Sequence, residues 1–109
     1  MTIPEEVYLL RIFVGESDRH GHRPLYESIV LQARAADLAG ATVLRGVMGF
    51  GKHSTLHTAK ILRLSEDMPM VIEIVDSLEK IEAFLPILDD LIKDGLITIE
   101  KVRVIHYRA

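Results

Sequence analysis

The sequence contains no cysteine and no tryptophan, and its 109 residues include only three phenylalanines and three tyrosines. The lack of cysteine excludes disulfides and thiolate metal sites. Because aromatic side chains are scarce, the core must be aliphatic, and a hydrophobic fraction of 49% is sufficient to build one. The length fits a single domain, which we expect to span residues 1–109.

An excess of basic residues is also missing. The chain has 13 Lys and Arg against 16 Asp and Glu, a net charge of −3, which argues against a general nucleic-acid-binding protein. No apolar run approaches the roughly 18 residues needed to cross a membrane. The first six residues are acidic and do not form a secretory signal. We therefore expect a cytoplasmic protein.

The hydrophobic pattern predicts the order strand, helix, strand, strand, helix, strand. Strands are predicted at residues 7–14, 42–49, 70–75 and 96–107, with a short extended piece at 60–64. One helix begins at Pro24 and ends at Gly40. The other follows Asp76, which forms a capping-box pattern with Glu79, and closes at Gly95. This order indicates an α+β protein with the ferredoxin-like split βαβ arrangement (βαββαβ), in which a four-stranded antiparallel sheet carries two helices on one face.

Strand alternation separates a helix-covered face of the sheet from a helix-free face. Each strand is predicted to place one charge on the helix-free face, at Arg11, Arg45, Glu73 and Arg103. The other residues predicted on the helix-free face are apolar: Val7, Leu9, Phe13, Val43, Val47, Val71, Val75 and Ile105. Such an apolar face should not meet water in a monomer, so we expect self-association to bury it. The alternative is a solvated second face, which antiparallel sheets tolerate.

A glycine-rich, basic stretch begins within the second predicted strand and continues into the loop after it. Gly46, Gly49 and Gly51 precede Lys52 and His53. Glycine lets the backbone approach a ligand closely, and successive N–H groups can form an anion-binding nest. The stretch is therefore a candidate cradle for an anion, with Lys52 adding charge. The ordinary alternative is a bulge or a turn.

Four segments along nearly the whole chain carry a resemblance to a known family. They are LRIFVGE at 10–16, PLYE at 24–27, VLRGVMGFG at 43–51 and PMVIEIVD at 69–76. In this order they resemble the small family of PII-like proteins long classed as a domain of unknown function. The resemblance implies a ferredoxin-like homotrimer whose sheets face inward. It also implies a signalling or regulatory role and, by family association, a membrane transport protein as partner.

In the wider PII superfamily a Gly-Phe-Gly-Arg type segment begins a long mobile loop and helps to line a nucleotide cleft between subunits. Residues 49–52, GFGK, stand in that place here, which implies an adenine nucleotide (ADP, ATP or AMP) as effector and no required cofactor. The loop at 52–59, which binding would order, is shorter than in PII proteins. Asp94-Gly95 lacks their second glycine- and basic-rich loop, so other residues must supply phosphate donors. The predicted nucleotide contacts are Arg45, Gly46, Gly49, Phe50, Gly51, Lys52, His53, Lys60, Arg63 and Arg103.

Two other functions remain open. His53 and His57, or His20 and His22, are candidate metal-ligand pairs, because imidazole suits zinc, copper and nickel; such a protein would be a divalent-metal-binding trimer similar to the CutA type. A structural interaction module without a ligand would need the glycine stretch only as a turn. The sequence shows no nucleophile elbow and no P-loop, so we expect no enzymatic activity.

Overall fold

The structure is a computed structural model that describes residues 6–51, 57–58 and 67–109. Its elements follow the chain in this order: β1 (Val7–Gly15), β2 (Arg19–His20), β3 (Arg23–Pro24), α1 (Leu25–Ala35), β4 (Thr42–Arg45), β5 (Met48–Gly49), β6 (His57–Thr58), β7 (Pro69–Ser77), α2 (Leu78–Leu91) and β8 (Leu96–Val102). Neither of these helices is long and apolar enough to span a membrane. The predicted extended piece at 60–64 lies outside the described residues.

Four strands form an antiparallel sheet in the order β4–β7–β1–β8. β1 and β7 pair along their whole length, from Val7 opposite Ser77 to Gly15 opposite Pro69. The chain passes from β1 through α1 to the edge strand β4, and from β7 through α2 to the other edge strand, β8. This connectivity is the split βαβ arrangement, so the predicted ferredoxin-like α+β fold is confirmed. The short pairs β2–β3 and β5–β6 lie outside this sheet.

The core lies between the helices and one face of the two inner strands. Apolar residues at every second strand position share that face, and each fully buried aliphatic side chain contributes about 1.5–3 kcal/mol. The core members are Leu10, Ile12 and Val14 of β1, Met70, Ile72 and Ile74 of β7, Leu25, Ile29 and Ala33 of α1, and Ile81, Phe84, Leu88 and Leu91 of α2. Leucine and isoleucine dominate, as the shortage of aromatic residues predicts.

Helix α1 ends earlier than predicted, and Gly40 takes no part in its cap. Asp37 adopts the left-handed conformation with φ 60°. Its N–H donates to the carbonyl of Arg34, and the N–H of Leu38 donates to that of Ala33, both at 3.1 Å. This pair of bonds is a Schellman motif, a geometry that asparagine or aspartate can adopt when glycine is absent.

Helix α2 begins one residue later than the capping-box pattern predicts. The cap is Ser77, whose hydroxyl accepts from the N–H of Lys80 at 3.2 Å. Asp76 still belongs to β7. Its carboxylate accepts from the N–H of Ala39 at 2.8 Å, so Asp76 fastens the α1–β4 connection to the end of β7 instead of capping the helix.

The strand register corrects the predicted faces of β4. Val43 and Arg45 lie opposite core residues of β7, so both are on the helix side of the sheet. Thr42 and Leu44 occupy the helix-free face instead. Val47 lies beyond the strand and is 75% exposed. The sequence correctly predicts that Val43 and Arg45 share one face of β4, but only the pairing with β7 determines whether that face meets the helices.

The predicted position of Arg103 on the helix-free face is also wrong. β8 ends at Val102, well before the predicted end at Tyr107, and Arg103 follows the strand. The charged residue on the helix-free face of β8 is Glu100, which lies opposite Leu9. The helix-free face of the sheet therefore carries Arg11, Glu73 and Glu100.

Candidate functional site

The glycine segment after β4 is packed against the first residue of β7. A Cβ atom on Gly46 would lie 2.6 Å from Cγ of Pro69, and one on Gly49 would lie 3.0 Å from the same atom. The N–H of Gly46 donates to the carbonyl of Pro69 at 2.7 Å. Close packing therefore requires glycine at position 46 and favours it at 49, and the Gly46 amide already has a protein partner.

The side chains of this segment are exposed. Val47 is 75% exposed, Phe50 74% and Met48 55%. The backbone at Met48 and Gly49 pairs with β6, so the chain leaves the sheet and returns as a small hairpin. The segment thus presents an apolar surface beside the end of β4, with Phe50 available for contact with a flat ligand group.

Arg45, the last residue of β4, is held by a carboxylate from the β1–β2 connection. Its Nε lies 3.0 Å from Oε2 of Glu16, and its Nη2 lies 3.1 Å from Oε1. The two side chains are 37% and 26% exposed. This is the side-on, two-bond geometry with which a guanidinium binds carboxylates and phosphates. Arg45 therefore holds the Glu16 carboxylate immediately before the glycine segment.

Glu16 has further contacts with the start of β7. Its N–H donates to the carbonyl of Met68 at 2.8 Å, and the N–H of Met68 donates to Glu16 Oε1 at 3.4 Å. The hydrogen bond from Arg45 lowers the pKa of the Glu16 carboxyl, assisted by the Met68 N–H and opposed by partial burial and by Asp67. Glu16 is therefore an ionised carboxylate fixed between two strand ends at neutral pH.

Two aspartates brace the same connection. Oδ2 of Asp18 accepts from the N–H of Gly15 at 2.9 Å, and Oδ1 of Asp67 accepts from the N–H of Ser17 at 3.0 Å. The β1–β2 connection is consequently tied both to itself and to the residues before β7. These hydrogen bonds fix the loop that carries Glu16 and so hold its carboxylate beside Arg45.

Of the charged residues predicted on the helix-free face, Glu73 pairs with Arg11. Arg45 pairs with Glu16, a residue that was not among the predicted site residues. The contact crosses the end of β7, which separates the strands that carry the two groups. The sequence holds no local signal for such a pair, because only the sheet order brings these strand ends together.

The other predicted site residues are distributed unevenly. Lys52, His53, Lys60 and Arg63 lie outside the described residues, as does the predicted switch loop at 52–59 except for the backbone of 57–58. Arg103 follows β8, whose last residue lies opposite Val7, at the far end of β1 from the strand end near Arg45. One chain therefore does not bring Arg103 and Arg45 together.

The helix-free face carries a cavity of about 600 Å³ at the opposite end of the sheet from Arg45. It is bordered by Arg11, which binds Glu73 at 2.8 Å and Glu100 at 2.7 Å. The hydrogen bond from Arg11 to Glu73 raises the arginine's pKa. Val104 and Tyr107, after β8, also border the cavity. Arg11, Glu73 and Glu100, the charged residues of the four strands on this face, are therefore paired within the chain.

The histidines of the β2–β3 hairpin line a shallow cavity of about 460 Å³ together with Arg23 and Glu27. Within the described residues, no group of three His, Cys, Asp or Glu side chains is arranged to hold a metal ion. His57 belongs to β6 by its backbone, and its partner in the alternative metal pair, His53, lies outside the described residues.

The fold is similar to that of PII-like proteins. Solved structures with this fold include those of CPII, a nitrogen regulatory PII-like protein from Thiomonas intermedia. The structure with ADP, AMP and bicarbonate has a TM-score of 0.61 at 16% identity and covers 91% of this chain and 88% of that chain. A second, with ADP and bicarbonate, has a TM-score of 0.60 at 16% identity, with the same coverage of both chains.

Sequence relatives define the family more narrowly. The DUF190 family model, described as an uncharacterized ACR, matches residues 7–104. A UPF0166 protein from Aquifex aeolicus is 39% identical over 90% of this chain and 92% of its own length. Another, from Methanocaldococcus jannaschii, is 35% identical over 88% of this chain and 89% of its own. The chain belongs to the DUF190 family, and its fold is similar to that of PII-like proteins of known structure, which confirms the resemblance found in the sequence.

Proposed function

We propose that this protein is a PII-like signalling protein that binds an adenine nucleotide at a site beginning with Arg45 and the glycine segment. The observation that carries this proposal is the two-bond contact of Arg45 with a carboxylate beside that segment. This geometry, the same as guanidinium groups use for phosphates, supports the proposal, and Phe50 adds an exposed aromatic side chain nearby in the sequence. The PII-like neighbour that binds ADP and AMP supports the choice of an adenine nucleotide.

The proposed site lies between subunits. Arg45 and Arg103 are at opposite ends of the sheet within one chain, so a ligand that contacts both needs a second copy. The glycine segment contributes Gly49, Phe50 and Gly51, with Lys52, His53, Lys60 and Arg63 as further proposed contacts. Gly46 has a different part in this arrangement, since its amide is bonded to Pro69 and its role is to set the path of the chain.

Self-association is the second component of the proposal. The helix-free face exposes Leu44 (48%), Leu96 (56%) and Val75 (37%), while its charges are paired with one another. An apolar face with neutralised charges is suited to burial against copies of the same chain. We propose a homotrimer whose nucleotide-dependent state is read by a membrane transport protein. Sedimentation at micromolar concentration should give the trimer mass, and a monodisperse monomer would contradict the assembly.

Isothermal titration against ATP, ADP, AMP and cyclic AMP tests the nucleotide proposal. We expect saturable binding of at least one of them, weakened about five-fold or more in Phe50→Ala by loss of base stacking. Leu31→Ala is the control, because Leu31 is an exposed apolar residue (39%) of α1, outside the proposed site. Its affinity should equal that of the wild type. Absence of heat with all four nucleotides at millimolar concentration would remove the proposal.

A further inference from the structure

The partner of Arg45 is itself an anion with the geometry of a ligand. The Glu16 carboxylate occupies Nε and Nη2 of the guanidinium at 3.0 and 3.1 Å, the same edge that a phosphate binds with two parallel hydrogen bonds. A phosphate oxygen pair and the Glu16 oxygens cannot use these two donors together. Binding of a phosphate to this edge therefore requires the carboxylate to withdraw or the arginine to turn away from it.

Glu16 keeps its contacts with Met68 when its carboxylate separates from Arg45. Its backbone N–H remains bonded to the Met68 carbonyl at 2.8 Å, and its side chain retains the Met68 N–H as a donor. Arg45 is followed directly by Gly46, which is fixed to Pro69 by its own N–H. The backbones on both sides are thus anchored, and exchange between the carboxylate and a ligand needs only side-chain movement.

We propose that Glu16 is an intramolecular competitor that occupies Arg45 in the absence of effector and sets the affinity of the site for phosphate groups. The inference rests on the proposed nucleotide function and adds its regulation. Glu16 lowers affinity by the free energy of its contact with Arg45. Because both side chains are partly exposed, the contact is weak enough for a phosphate to displace.

ADP titrations of four variants test the competition. Glu16→Gln keeps the shape of the side chain but removes its charge, and should tighten ADP binding about two- to five-fold. Arg45→Gln should weaken it about ten-fold or more. In the Arg45→Gln background, E16Q should have no further effect, because a competitor acts only through its target. Glu27→Gln, which removes the same charge from the exposed Arg23–Glu27 ion pair between β3 and α1, should match the wild type.

A measurement on the wild-type protein makes the test independent of how well the variants fold. The carboxyl carbon of Glu16 and the Nε–Hε group of Arg45 should both shift in NMR spectra as ADP is added, at the same midpoint as the calorimetric binding.

The outcomes separate the two proposals. Wild-type protein that binds none of the nucleotides overturns both. Binding by the wild type, with E16Q equal to or weaker than wild type, overturns the competition alone. Tightening by E16Q that persists in the Arg45→Gln background also overturns it, since that result reflects net charge and not displacement. Glu16 and Arg45 resonances that stay unchanged at saturating ADP would likewise overturn the competition.

Discussion

Replacing Gly46 by alanine should destabilise the protein through packing. The added Cβ would lie 2.6 Å from Cγ and 3.2 Å from the carbonyl oxygen of Pro69, whereas carbon atoms in contact prefer about 3.5–4.0 Å. A proline ring cannot rotate away, so the end of β4 must separate from the start of β7. Overpacking of this kind costs about 1–3 kcal/mol. For a chain of this size about 2 kcal/mol lowers Tm by about 10 °C.

Thermal unfolding of Gly46→Ala and Gly40→Ala at equal protein concentration measures this effect. Gly40 is the matched control, because a Cβ there meets nothing within 4 Å and its backbone is not in the left-handed region. We expect Gly40→Ala to be neutral or stabilising by about 0.4–1 kcal/mol through restriction of the unfolded chain.

Nucleotide titration of the same variants separates packing from ligand contact at Gly46. A Gly46→Ala protein with wild-type Tm and lost ADP binding would refute the packing argument and assign Gly46 to a ligand cradle. A lowered Tm with ADP affinity retained below the transition would support the packing role.

Three further predictions concern acid stability and the two helix caps. Since Arg45 lowers the pKa of Glu16, the stability from this pair is complete above the unfolded pKa of about 4.3 and is lost as pH falls through the lower folded pKa. Denaturant titrations from pH 6 to pH 2 should therefore show a shallower acid loss in E16Q than in the wild type; equal slopes would contradict the shift. Ser77→Ala should cost about 1 kcal/mol by removing the cap on the Lys80 N–H, measured as a lower urea midpoint, whereas an unchanged midpoint would exclude a stabilising cap. Asp37→Gly should raise that midpoint slightly, because glycine adopts φ 60° without strain, and a loss above 1 kcal/mol would show that the Lys80 contact dominates.

The fold was predictable because several sequence signals agree. The alternation in residues 7–14 and 70–75 identified both inner strands, and the helical spacing identified both helices. Residue type does not decide the cap of α2, since Asp76 and Ser77 are both good N-cap residues and only the backbone conformation selects Ser77. Residue type alone favours Gly40 as the end of α1, whereas the chain uses Asp37.

The candidate site was predictable only in part. The glycine segment stands out in the sequence, but its packing on Pro69 depends on the hydrogen-bonded neighbours β4 and β7. The predicted face of Arg45 is wrong because alternation has no absolute sign until a strand is paired. The predicted face of Arg103 is wrong because β8 ends at Val102, before Arg103. Glu16 could not be identified as the partner of Arg45, since it lies on a different connection and contacts Arg45 across the end of an intervening strand.

Sheet register limits how a nucleotide site that includes both arginines can be built. The residue opposite the end of β8 is Val7, and the residue level with Arg45 on β1 is Val14. Seven strand intervals correspond to about 23 Å along the sheet, and three strand spacings add about 14 Å across it. A site that uses both Arg45 and Arg103 must therefore take them from different chains, whereas a site within one chain must omit Arg103.

If the site lies between chains, substitution of either arginine weakens binding. Mixing the two variants then restores a fraction of intact sites, because an interface between them can combine an unaltered Arg45 from one chain with an unaltered Arg103 from the other. If the site lies within one chain, Arg103→Gln binds normally and mixing restores nothing. Titration of the mixed oligomers thus tests the location of the site separately from the identity of its ligand.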